Sequence, residues 1–133
     1  MSDLRPIEQR IHEASAAIDG AIDELERCAT EAAKAEALYR QSKAQAFLHV
    51  TGAKNIAERE ALAEGAKFAA PDTGEALTLT DVRYARDLAE GLHGSAMQAL
   101  KARTTQLSAL MTLASKERAE AELARVDVRG NAA

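Results

Sequence analysis

From Leu4 to Ala46 a small or apolar residue returns every three or four positions: Leu4, Ile7, Ile11, Ala14, Ile18, Ala21, Leu25, Cys28, Ala32, Ala35, Tyr39, Ser42 and Ala46. A mean spacing near 3.5 holds such a row on one side of an α-helix for many turns, so the stretch predicts one long helix packed lengthwise against a partner. The row is bulky at its start and small towards its middle, which lets the partner approach closely between Cys28 and Ala35. Ser2 or Asp3 suits the N-cap, and Pro6 is tolerated in the first turn. Nothing interrupts the pattern before Thr51-Gly52.

The residues available for a core reinforce this. Alanine makes up roughly a quarter of the 133 residues, against two Phe, two Tyr and no Trp. Alanine removes little area from water, so a thick globular core is not expected; long helices that cover one another, within the chain and between copies, are. The chain is therefore expected to form a homo-oligomer, with Ile11, Ile18, Leu25, Leu107 and Leu110 building the helical seams.

The first break falls at Thr51-Gly52-Ala53-Lys54-Asn55, where glycine suits a helix C-terminus and asparagine the next N-cap. A second helix is expected from Ile56 to about Ala69. Pro71-Asp72-Thr73-Gly74 reads as a turn, and the segment to Thr80 as a loop. Thr80 or Asp81 then caps a last helix reaching about Arg125, with Val82, Ala85, Leu88, Leu92, Ala96, Leu100, Leu107, Leu110, Met111 and Ala114 on a drifting apolar stripe. The expected fold is all-α: a long antiparallel helical hairpin with a short middle helix, one domain over 1–125, and a flexible tail over 126–133.

Few patterns here carry covalent chemistry. His12, His49 and His93 lie far apart in the sequence, the glycines match no phosphate-binding loop, and no serine sits in a nucleophile-elbow context. Cys28, the sole cysteine, falls on the helical row and reads as a small packed residue. No enzyme activity, metal or cofactor is expected. The N-terminus lacks a signal-type apolar core and no window has the roughly 18 apolar residues of a membrane span, so the expected location is the cytoplasm.

Charge is more informative than motif. The formal net charge is −4, yet residues 37–57 hold Arg40, Lys43 and Lys54 with no acid, and residues 91–116 hold Lys101, Arg103 and Lys116 with no acid. A hairpin turning near residue 75 pairs residue 37 with 113 and residue 57 with 93, which sets the two acid-free stretches side by side. Arg40, Lys43, Lys54, Lys101 and Arg103 are then the candidate contacts to a phosphate backbone. Tyr39 and Phe47, two turns apart, read as core residues first and stacking platforms second.

The order of features resembles the UvsY-type recombination mediators of tailed phages: a long first helix, a basic segment near its end, here YRQSKAQAFLHVTGAK, a polar loop, and a second long helix, here LTDVRYARDLAEGLHGSAMQALKARTTQLSAL. The resemblance is one of layout and covers Leu25 to about Lys116. It implies single-stranded DNA binding through Arg40, Lys43 and Lys54, and loading of a recombinase onto strands coated by a single-strand binding protein. The alternative expectation is a protein-interaction module, a phage accessory or inhibitory factor that contacts a host or phage protein through its acidic region, Asp19, Asp23, Glu24, Glu26 and Glu31, without nucleic acid.

Overall fold

The computed structural model describes residues 5–50, 52, 54–70 and 73–131. Ser2, Asp3, Leu4, Thr51, Ala53, Pro71 and Asp72 lie outside the described residues, and so do the N-cap and turn roles expected of them. Three helices, α1 (Ile7–His49), α2 (Ile56–Gly65) and α3 (Leu79–Asn131), are joined by a two-stranded sheet, β1 (Lys67–Ala69) and β2 (Ala76–Thr78). The chain divides into two compact units: residues Leu25–Ala96, and residues Met1–Glu24 together with Met97–Ala133. In both units α1 and α3 pack against each other in antiparallel fashion.

The α1 row is realised as expected. Ala14, Cys28, Tyr39, Ser42 and Ala46 are buried, and Ile7, Ile11, Ile18, Ala21, Leu25, Ala32 and Ala35 are half-buried. In α3 the packed positions are Leu79, Val82, Arg83, Arg86, Ala89, His93, Ala96, Leu100, Leu107, Leu110 and Ala114, a row that, with Arg83 beside Val82, advances by threes and fours except between Leu100 and Leu107. This corrects the stripe expected there. Ala85, Leu88, Leu92 and Met111 are exposed, because the 3.5-residue row that faces α1 passes through Arg86 and His93 instead.

The connection is more ordered than a loop. Gly52 takes φ +80, the left-handed conformation that ends a helix without a Cβ penalty. Asn55 caps α2, its side chain accepting from the Glu58 amide at 2.8 Å. The helix stops at Gly65 rather than near Ala69, because Lys67, Phe68 and Ala69 pair with Thr78, Leu77 and Ala76. The Ala70 amide donates to the Glu75 carbonyl at 2.8 Å and the Gly74 amide to the Ala70 carbonyl at 2.9 Å, with Gly74 at φ +69, closing the hairpin. Thr78, not Thr80 or Asp81, caps α3: its amide donates to Asp81 at 2.9 Å and the Asp81 amide to its hydroxyl at 3.3 Å. Beyond Arg125 the helix continues to Asn131.

A small core pins this end. Tyr39, Leu79 and Val82 are buried together, with Leu38, Phe68 and Leu77 against them. Phe68 and Leu77 share one face of the two-stranded sheet, which closes over the start of α3 and the end of α1.

Candidate functional site

Register decides which charges meet. Arg86 lies 3.8 Å from Glu36 and its guanidinium stands 4.2 Å from the Tyr39 ring centre; Cys28 lines one groove with Leu88 and Leu92. A turn near residue 75 pairs 37 with 113, whereas residue 36 meets residue 86. The pivot is not the turn at 71–74. The contact between 36 and 86 puts it near residue 61, inside α2, because α2 and the β-hairpin fold as one connection. Within the other unit, Arg103 lines a groove with Arg10, Ala14 and Ala17.

Of the five predicted phosphate contacts, Arg40, Lys43 and Lys54 belong to the unit Leu25–Ala96, and Lys101 and Arg103 to the other. Arg40 donates to Glu36 at 2.9 Å, one turn back on α1. Lys43 stands 5.9 Å from the centre of the Phe47 ring and shares a cleft of about 130 Å³ with Glu60, Glu64 and Arg83. Lys54 is exposed, its amide donating to Glu58 at 3.3 Å. Lys101 is exposed on α3. Arg103 is exposed and lines a groove of about 200 Å³ with Arg5, Arg10, Glu13 and Gln106.

The charged centre of the larger unit lies elsewhere, on residues the sequence reading passed over. Tyr39 packs with two guanidiniums near its ring, Arg86 at 4.2 Å and Arg83 at 5.9 Å. Glu64 of α2 accepts from Arg83 and, at 3.0 Å, from the Thr80 hydroxyl. The Arg83 hydrogen bond holds the Glu64 carboxyl below its ordinary value, against the opposing effect of burial. Hydrogen bonds to Glu64 and Tyr39 push Arg83 up, and the bond to Asp87 does the same for Arg86. Arg59 donates to the Phe47 carbonyl at 3.1 Å and covers the Phe47 ring at 5.4 Å, so α2 delivers a cation to the negative C-terminal end of α1. The row of α3 that packs on α1 runs through Arg86 itself, with Arg83 one turn before it.

These basic groups are arranged with carboxylates rather than apart from them. Glu36 pairs with Arg40 and Arg86, Asp87 with Arg86 and Glu64 with Arg83, while Glu60 lines the cleft that holds Lys43. Among the described residues no group of three or more His, Cys, Asp or Glu is placed to hold a metal ion, and no helix is long and apolar enough to cross a membrane.

Apolar groups show the opposite tendency. Tyr84, Leu88 and Leu92 follow one another at four-residue spacing on α3 and are 68%, 52% and 53% exposed. Leu88 and Leu92 border a groove of about 280 Å³ whose other walls are Arg27, Cys28, Glu31, Ala85 and Ala89. The expected seam residues sit differently: Leu110 is buried, and Ile11, Ile18, Leu25 and Leu107 are half-buried. Comparison with known proteins finds no matching family model, curated protein or solved structure.

Proposed function

We propose that this chain is a non-enzymatic protein-interaction module, an accessory or inhibitory factor of the kind phages encode, acting on a protein surface in the host cytoplasm. The observation that carries it is the contrast on the unit Leu25–Ala96: cations are matched by nearby carboxylates, while Leu88 and Leu92 stay open to solvent on the edge of an apolar groove, with Tyr84 exposed one turn before them. A run of large apolar groups on one helix face is a docking feature of helix-in-groove recognition. It replaces the acidic stretch Asp19 to Glu31 as the contact surface.

The mediator role on single-stranded DNA has one observation in its favour. Arg5, Arg10 and Arg103 line one groove with Glu13 in the other unit, a grouping of guanidiniums that suits a phosphate. Fluorescence anisotropy with a labelled oligo-dT separates the two roles. A protein-interaction module leaves the anisotropy unchanged even at low salt. Micromolar binding that weakens with salt, and weakens further in Arg40→Glu/Lys43→Glu or in Arg103→Glu, sinks it in favour of recombinase loading.

A further inference from the structure

We infer that the groove lined by Arg5, Arg10, Glu13 and Arg103 binds a phosphate dianion, as the free ion or as the monoester of a small molecule. The groove lies wholly within the unit Met1–Glu24 with Met97–Ala133. The inference goes beyond the protein-interaction role and does not depend on it.

Charge is the first ground. The lining holds three guanidiniums and one carboxylate, an excess of two positive charges in a chain whose formal net charge is −4. Arg10 comes from α1 and Arg103 from α3, so the packing of the two helices gathers like charges along one hollow. Like charges held close together repel, and an anion set among them relieves the repulsion.

Arg103 is the decisive member. It is exposed, and among the described residues its side chain forms no ion pair or hydrogen bond. Its own helix offers none, since no acidic residue stands between Glu90 and Glu117. Glu13, the one carboxylate of the groove, is bonded by Arg5 and, at 3.2 Å, by the Gln9 side-chain amide. The acid-free run of α3 thus leaves a guanidinium beside a basic stretch of α1 with no carboxylate of its own.

Shape is the second ground. Ala14 and Leu110 are buried and Ala17 half-buried, and these groups floor a groove of about 200 Å³. Guanidiniums bind phosphate through paired N–H donors, and an apolar floor strengthens such bonds by keeping water from one side. Gln106 adds an amide to the α3 wall.

The third ground separates a single phosphate from a strand. All four aromatic residues, Tyr39, Phe47, Phe68 and Tyr84, belong to the unit Leu25–Ala96. The unit that holds the groove has no ring for a base to stack on, whereas single-strand binders pair their basic tracks with such rings. A phosphodiester brings one charge per phosphate, and a monoester or inorganic phosphate brings close to two on one phosphorus. The dianion is the match for an excess of two.

Isothermal titration calorimetry tests this on the full chain, with inorganic phosphate and with glycerol 3-phosphate, at low ionic strength and about pH 8, where a monoester is dianionic. Saturable one-to-one binding is expected, with Kd about 1 mM or tighter. Arg103→Gln or Arg10→Gln weakens it about tenfold with helicity retained. Lys101→Gln removes the same charge from an exposed α3 position outside the groove and changes Kd by less than about twofold. Tighter binding of glycerol 3-phosphate supports the monoester, and tighter binding of inorganic phosphate supports the free ion. No saturation by about 10 mM of either overturns the site. Equal weakening by Arg103→Gln and Lys101→Gln overturns it too, since only net charge would then matter. Oligo-dT binding that Arg103→Gln abolishes overturns the dianion in favour of a strand.

Discussion

The two compact units use the same pair of helices and stabilise them by different means. In the unit Leu25–Ala96 the α1/α3 contact is closed by a connection of its own, with a core of Tyr39, Leu79 and Val82 under Phe68 and Leu77, two capped helix starts, and an ion-pair cluster around Glu64. In the other, described buried apolar groups number three, Ala14, Leu110 and Ala114, and one of them is large. A row of small residues aligns helices but buries little area. The first unit is accordingly expected to be the anchor of the fold, and the second to open first.

The sharpest way to break the comparison is truncation of the two large buried leucines. Leu79→Ala, at a fully enclosed site, is expected to cost about 3 kcal/mol in urea unfolding, and Leu110→Ala, at a seam open on its flanks, about 2 kcal/mol or less. Equal losses would abolish the distinction. Native-state hydrogen exchange resolves the same difference by position: amides of Val82 to Ala89 should be protected by the full unfolding free energy, and those of Leu107 to Ala114 should exchange through a lower-energy opening.

Smaller effects refine the anchor. Thr78→Ala removes the cap of α3 and should cost about 1 kcal/mol. Gly20→Ala and Gly94→Ala fill open space in the two units respectively and should each raise stability by roughly 0.5–1 kcal/mol. A single shared melting shift from both would mean that the units unfold together; shifts in separate transitions would mean that they do not.

The smallest effect is that of pH. Because Arg83 holds Glu64 below its ordinary 4.5, the unfolded chain takes up this proton first as acid is added. The stabilisation is complete above that ordinary value and is lost as pH falls through the lowered one. Both side chains are about one-third exposed, so the contribution is expected to be about 0.5 kcal/mol. Urea midpoints measured between neutral pH and pH 3 should show this acid-limb loss in the wild type and a correspondingly reduced one in Glu64→Gln.

Much of this was legible in the residues. The α1 row was read correctly at each described position from Ile7 to Ala46, because a 3.5-residue repeat over a dozen turns leaves one way to bury it. The joint at Gly52 and Asn55 followed from glycine's access to positive φ and asparagine's fit as a cap. What misled in α3 was assigning the large residues to the seam: Leu88 and Leu92 outweigh Arg86 and His93 in hydrophobicity, yet the Arg86 guanidinium packs over the Tyr39 ring beside Glu36. Strands of three residues give too short an alternation to recognise. The pivot at residue 75 missed for a geometric reason, since residue 36 meets residue 86 and the register of two helices depends on the full length folded between their ends and not on the position of the tightest turn. A shift of that midpoint moves each facing pair along the helices by twice as much in sequence sum.

The placement of the aromatic rings gives the molecule its own optical instrumentation. With no tryptophan, its ultraviolet emission comes from two tyrosines, one enclosed at 9% exposure beneath two guanidiniums and the other at 68% on the outer face of α3. An aqueous quencher such as iodide should therefore reach one emitter and leave the other bright. The quenchable fraction then reports what lies against Tyr84, while the protected fraction reports whether Tyr39 is still covered, with no label attached to either.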